Sequence, residues 1–306
     1  MKRGTIAAGA VAAAAAAVVL VAGSAPAEDG ARRGLGPESF AFGIGNRTLD
    51  GSDAAVGQRF ADFDLAVVDG QEAKPGQIAA MQAQGAEVLG YLSVGTIEKW
   101  RPWYREVKRY RLAAWQDWKD EWYADTSKAG LRRALVEIAD ERILDKGFDG
   151  LFLDNVDMVE VAKHRKQRAG MGRLVGELDS LVGPARLLFA QNGARGVLNG
   201  YEADGVEPLI DDLDGWNRED VTWTYDFDRR RYVPSRAADR SAALEELEEI
   251  AGAGLITTAT DYVDIEDGFS AAECEAVANA EGVGALPYLA NIGLTAAAVE
   301  VNPPDC

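Results

Sequence analysis

Eight short β-type runs recur along the chain, at 40–45, 65–70, 88–95, 150–157, 187–193, 214–220, 255–263 and 285–291, each followed by polar residues and then a helical pattern. Most are apolar on successive rather than alternate positions, the pattern of parallel strands buried on both faces. Helical periodicity fits 75–84, 128–146, 159–181, 237–252 and 270–279 between them. Gly85, Gly147 and Gly254 stand where a left-handed residue ends a helix. Eight strands alternating with helices predict an α/β fold, a single-domain (β/α)8 TIM barrel over residues 40–306. A doubly wound open sheet is the competing architecture. Gly43 and Gly45 lack the third glycine of its phosphate-binding loop, so they read as a tight turn.

A barrel of this kind carries its chemistry at the C-terminal ends of the strands. Read in order, those ends offer Asp69; Ser93 with Glu98 beyond it; Asp154, Asn155 and Asp157; Gln191 and Asn192; Glu219; Asp261 with Tyr262; and Asn291. So many acids and amides at one mouth exceed what polar strand caps require. Asp154 is the sharpest case, because the apolar stretch Leu151, Phe152 and Leu153 would hold its carboxylate rigidly at the rim. A helix N-cap is the competing role, which Asp157 suits better because it directly precedes a helical run. Glu219, two strands on, is the leading partner, although an exposed glutamate in an acidic loop remains open. Two carboxyl groups, one nucleophile or base and one acid, are what glycoside hydrolysis needs.

Composition narrows the chemistry further. One histidine, His164, lies in a Lys/Arg-rich helical stretch and is expected to be exposed; its isolation excludes histidine-based triads elsewhere and poly-His zinc sites. The proton donor then falls to a carboxylic acid. The net charge of −18 argues against nucleic acid as a partner and would favour a cationic ligand. No cofactor and no metal are expected. A hard cation on Asp154, Asn155 and Asp157 is the weakest reading, since the chain has no bidentate acidic loop there.

Residues 1–27 read as a cleavable secretory signal: Lys2 and Arg3, an Ala/Val-rich run, then Ala25-Pro26-Ala27. A short lead at 28–39 follows. Secretion is therefore expected, without stable membrane insertion, because no other stretch approaches the length of a spanning helix. Cys274 and Cys306 would either close a disulfide that pins the C-terminus to the last helix or remain two free thiols. Five of seven tryptophans fall in 100–122. The spacing of Trp115, Trp118 and Trp122 suits a helix face packed on a core, while Trp100 and Trp103, beside Arg101, suit a sugar-stacking wall at the mouth. Oligomeric state is not readable.

Five ordered motifs span the chain: YLSVGTIEKWRP at 91–102, GFDGLFLDNVD at 147–157, QNG at 191–193, DGWNRE at 214–219 and TDY at 260–262. Together they resemble the endo-α-1,4-polygalactosaminidase-like glycoside hydrolases of family 114. The resemblance implies a secreted barrel that cuts galactosamine-containing polysaccharide. It implies Asp154 as nucleophile and Glu219 as general acid/base in a retaining mechanism. Asp69, Tyr91, Ser93, Glu98, Arg101, Asp157, Gln191, Asn192, Asp261 and Tyr262 would line the sugar site, joined by Asn155 from the strand ends and Trp100 from the tryptophan cluster. Thr96 stands where many relatives carry a second acid, a departure that bears on substrate. The rival function is a catalytically silent barrel that binds cell-surface polysaccharide; the presence of both acids favours the enzyme.

Overall fold

Residues 36–266, 268–302 and 306 are described in the computed structural model, so the expected signal segment lies outside the described residues. Each of the eight β-type runs contains a strand: β1 (Phe40–Gly43), β2 (Leu65–Asp69), β3 (Glu87–Ser93), β4 (Gly150–Asp154), β5 (Leu187–Gln191), β6 (Gly215–Glu219), β7 (Ile256–Tyr262) and β8 (Leu286–Ala290). They pair in parallel and in chain order within one eight-stranded sheet. The sheet curls on itself. The Phe42 ring of β1 meets Phe152 of β4 at 4.9 Å across the interior, and Phe40 meets Tyr288 of β8 at 5.8 Å. At the β1/β8 seam, Gly45 donates its N–H to the Leu294 carbonyl at 2.8 Å. A Cβ at Gly45 would collide with the Gly293 carbonyl oxygen, so the seam closes only around glycine. This is the (β/α)8 barrel expected from the strand–helix alternation.

The helices follow the expected periodicity with two departures, the first being the run over 128–146, which is α-helical at Ala129–Ile138 and then passes through a wider turn, Ala139–Ile143, and a tighter one, Leu144–Lys146. Helices Pro75–Gln82, Ala237–Gly252 and Ala271–Gly282 form as read, the last opened by a reciprocal Ser270/Glu273 capping box. Gly85, Gly147 and Gly254 all adopt left-handed conformations at φ 111°, 100° and 99°. The run read as one helix over 159–181 is broken, and α-helix begins only at Arg168–Val182. The buried Arg168 guanidinium takes the carbonyls of Val159 and Glu160, which an unbroken helix would use itself. Cys274 and Cys306 form a disulfide, Cα atoms 5.5 Å apart, tying the end of the chain to helix Ala271–Gly282.

Two insertions rise from the mouth and were not foreseen. After β3, strands Thr96–Glu98, Glu121–Ala124 and Arg111–Ala114 form a small antiparallel sheet. After β6, Trp223–Asp226 pairs with Arg231–Pro234 as a hairpin. The reading of Trp115, Trp118 and Trp122 as a helix face is therefore corrected: Trp122 lies on a strand and the other two in the turn region before it. His164 is likewise not exposed. The inserted sheet lays Tyr123 over it, ring centroids 4.3 Å apart, and burial lowers the imidazole pKa.

Candidate active site

The ends of β4, β5 and β6 share one local design. Asp154, Gln191 and Glu219 are each the last residue of their strand, and each is followed by a left-handed residue: Asn155, Asn192 and Asp220, at φ 65°, 59° and 59°. Asn and Asp are the non-glycine residues that best tolerate this conformation. The sharp turn stops each strand at the rim and swings the next side chain back beside the last one.

Asp154 collects hydrogen bonds. Tyr91 Oη donates to its Oδ2 at 2.5 Å, Asn155 Nδ2 to Oδ2 at 2.9 Å, Gln191 Nε2 to Oδ1 at 2.9 Å, and the Asn155 backbone N–H to Oδ1 at 2.6 Å. Burial raises its pKa, and these donors oppose the rise by favouring the charged form. Gln191 is itself oriented. Its Oε1 accepts from Asn217 Nδ2 at 3.0 Å, while Asn217 Oδ1 accepts from the Thr258 and Thr260 hydroxyls at 2.7 and 3.1 Å. All four side chains are buried inside the barrel. With Asn217 Oδ1 taken by two hydroxyls, its amide must donate to Gln191, which must then donate to Asp154.

Glu219 sits in a different field. Burial, then the charges of Asp154 and Asp220, push its pKa to about 8. Tyr262 Oη and Asn192 Nδ2, the latter at 2.9 Å, engage its two oxygens. Asn192 is fixed because its Oδ1 accepts from the Glu219 N–H at 3.1 Å and from Arg218 at 3.3 Å. The site thus pairs an acid pushed up to about 8 with one whose rise is opposed by four donors. Two neighbouring carboxyl groups with such divergent environments can divide acid and nucleophile roles between them.

Asp154 and Glu219 open into one pocket of about 460 Å³. Of the sugar-site residues expected from sequence, Asp69, Tyr91, Glu98, Trp100, Arg101, Asn155, Asp157, Gln191, Asn192 and Tyr262 line it. Arg101 spans Glu98, through Nε at 2.6 Å and an Nη at 3.1 Å, and Asp69 at 2.7 Å, with its guanidinium 5.6 Å from the Tyr91 ring centroid. It therefore braces the tyrosine that serves Asp154. Asp157 caps no helix: it lies inside the short turn Val156–Val159, where burial and the Asp154 charge push its pKa to about 7.

Three expectations fail. Ser93 is buried beneath the site, bonded to Thr96 and Asn155, and does not line the pocket. Asp261 points away, its Oδ1 accepting from the Thr222 and Trp223 N–H groups at 2.6 and 2.7 Å. Successive side chains of a strand face opposite ways, so Tyr262 at the pocket sends Asp261 behind it. Trp103 is buried under Arg101 rather than walling the mouth. Asn291 does a capping job, accepting from the Thr295 N–H at 3.2 Å.

The insertions bring pocket residues that sequence reasoning missed: Trp115, Trp118 and Glu121 from the first, Thr224, Tyr225 and Phe227 from the second. Glu121 lies opposite Glu98 in the small sheet, and burial with the Glu98 charge pushes its pKa to about 8. It is bonded to Thr96, so a carboxyl group does reach that position from the neighbouring strand. Asp220 and Asn217 carried a signal, since one follows Glu219 and the other precedes it by two on the same strand face. Among the described residues, no group of three or more His, Cys, Asp or Glu side chains is placed to hold a metal ion.

The model of glycoside-hydrolase family GH114 matches residues 37–196, more than half of the chain. The chain belongs to this family. As a GH114 member it is a glycosidase, and the match covers the strands that carry Asp154 and Gln191. An uncharacterized Thermotoga maritima protein is 25% identical over 263 residues, covering 76% of each chain. The glycoside hydrolase domain of PelA from Pseudomonas aeruginosa superposes with a TM-score of 0.68 at 23% identity, over 85% of this chain and 96% of that one. Aspergillus fumigatus Ega3, solved in complex with galactosamine, gives 0.63 at 16% identity, over 84% and 92%. These two likenesses establish a shared barrel fold.

Proposed function

We propose that this GH114 glycosidase is a secreted enzyme that cleaves α-1,4-linked, galactosamine-containing polysaccharide at internal bonds with retention of configuration. The observation that carries the substrate is the charge of the pocket lining. Among the described residues, eight carboxyl groups, those of Asp69, Glu72, Glu98, Glu121, Asp154, Asp157, Glu219 and Asp220, face one guanidinium, that of Arg101, so acids outnumber the cation even with Glu121 and Glu219 protonated. Such a surface attracts a cationic polymer, as a de-N-acetylated amino sugar is at neutral pH. The galactosamine bound in the related Ega3 supports the same class.

Chemically, the Asp154 carboxylate would attack the anomeric carbon as Glu219 gives its proton to the glycosidic oxygen, breaking the C–O bond. Water would then attack the glycosyl–Asp154 ester while the Glu219 carboxylate takes its proton, which restores both groups. Tyr91, Gln191 and Asn155 hold Asp154 in place and disfavour its protonation, and the field of Asp154 and Asp220 keeps Glu219 loaded.

The test is hydrolysis of α-1,4-galactosamine polymer and of its N-acetylated form, with products sized and the first-formed anomer read by NMR. A mixture of internal fragments from the cationic polymer, first appearing as the α-anomer, is expected. Cleavage of only the acetylated form would overturn the substrate, monomer release alone would overturn internal cutting, and a β-anomer would overturn retention. Secretion predicts that protein recovered from culture medium begins at Glu28; a mature N-terminus at Met1 would refute it.

A further inference from the structure

Among the described residues, Trp100, Trp118, Val161 and Phe227 are the exposed large apolar side chains, at 54%, 37%, 39% and 39%. Single exposed apolar residues scattered over a surface need no explanation. Here three of the four line the pocket that holds Asp154 and Glu219. Two of them touch: Trp118, from the turn between strands Arg111–Ala114 and Glu121–Ala124, meets Phe227, at the tip of the hairpin after β6. Their centroids are 5.6 Å apart and their planes 71° apart. Two insertions with no sequence continuity thus present one aromatic corner over the cleft.

The corner is supported from behind. Phe227 packs edge-on against Tyr225 at 5.1 Å, and Tyr225 against Tyr232 at 5.1 Å. Tyr232 Oη accepts from the Ile292 N–H at 3.1 Å, Trp223 Nε1 donates to the Ala272 carbonyl at 3.1 Å, and Asp261 anchors the first residues of the hairpin. Rings held this way lose little freedom when a ligand stacks on them. Hydrocarbon surface left in water beside a polar cleft suits a ligand with an apolar face. A galacto-configured pyranose has one, because its axial O4 leaves the C3, C4 and C5 hydrogens together on the opposite side of the ring.

We propose that Trp118 and Phe227 form a sugar-stacking subsite, separate from the reacting carboxylates, that holds a further residue of the amino-sugar chain. The proposal rests on the polymer-cleaving function argued above and deepens it: the site grips several residues of chain, and the two insertions act as one clamp. Hydrolysis of α-1,4-galactosamine oligomers of increasing length by wild type, Trp118→Ala and Phe227→Ala tests it. For oligomers long enough to reach the corner, KM rises about 3- to 10-fold in each variant with kcat little changed, and the loss shrinks as the oligomer shortens. Trp118→Phe and Phe227→Tyr, which keep a ring, restore most of the long-oligomer KM. Thermal melts and kcat on short oligomers separate a damaged fold from a lost subsite, because damage lowers kcat/KM equally at every length. Length-independent loss, or an unchanged KM on long chains, overturns the subsite while leaving the functional reading intact. A wild type that cuts no amino-sugar polymer overturns both.

Discussion

Asn217 bonds to Gln191, Thr258 and Thr260 and not to Asp154 or Glu219, yet its removal should reach Asp154. In Asn217→Ala three buried groups lose their partner: Gln191 Oε1, Thr258 Oγ1 and Thr260 Oγ1. An orphaned buried polar group costs about 1–3 kcal/mol. The two hydroxyls can rotate toward backbone carbonyls, so a net loss of roughly 2–4 kcal/mol is expected, or a Tm lower by roughly 5–10 °C. The second effect is on activity. Without Asn217 Nδ2 nothing compels the Gln191 amide to aim its donor at Asp154, and a hydrogen bond to a charged group contributes about 1.5–3 kcal/mol. That corresponds to a fall in kcat/KM of roughly 10- to 100-fold. It also moves the acidic limb of the pH profile upward, because Asp154 loses a donor that favours its ionised form. Thermal melts and pH-dependent kinetics on Asn217→Ala, Gln191→Leu and the double variant separate these effects. The two substitutions should act through one path, so the double variant is little worse than either single. If Asn217→Ala melts early but keeps kcat/KM and the acidic limb, or if the two losses multiply, the orienting role is wrong.

In the proposed mechanism Glu219 acts as the acid and must be protonated, so kcat/KM should fall as pH rises through about 8. The charge of Asp220 helps hold that proton, so Asp220→Asn should move the basic limb to lower pH; an unmoved limb would show that Asp220 does not set it. Reduction of the Cys274–Cys306 bridge, whose partners are 32 positions apart, should remove about 3–4 kcal/mol of stability. A Tm unaffected by a reductant that demonstrably opens the bridge would contradict this.

Those tests concern groups whose visibility in the sequence differed greatly. The eight strands were readable because barrel strands are covered on both faces, which leaves long apolar runs such as Leu151, Phe152 and Leu153. Asp154 was readable for the same reason, since it ends such a run, whereas Glu219 ends the mixed strand Gly215–Glu219 and was readable only by its place two strands on. Which of two adjacent polar residues turns into the mouth was not readable, since that depends on the pleat's phase at the rim. Tyr262 faces the pocket and Asp261 behind it became the anchor of a hairpin. The insertions were opaque for a different reason. Strand Arg111–Ala114 is not buried on either side, so no periodicity betrays it, and the tryptophan spacing at 115, 118 and 122 happens to match a helix. His164 was misjudged because its cover, Tyr123, arrives from that same unseen sheet.

In the proposed mechanism Asp154 is the nucleophile and Glu219 the acid. The most direct measurement is kcat on galactosamine polymer for Asp154→Asn and Glu219→Gln beside wild type, with melting curves to confirm that each variant folds. Both substitutions should lower kcat by roughly a thousandfold or more, the scale of losing a group that acts only in the transition state. A folded variant of either kind that turns over within tenfold of wild type would contradict the assignment.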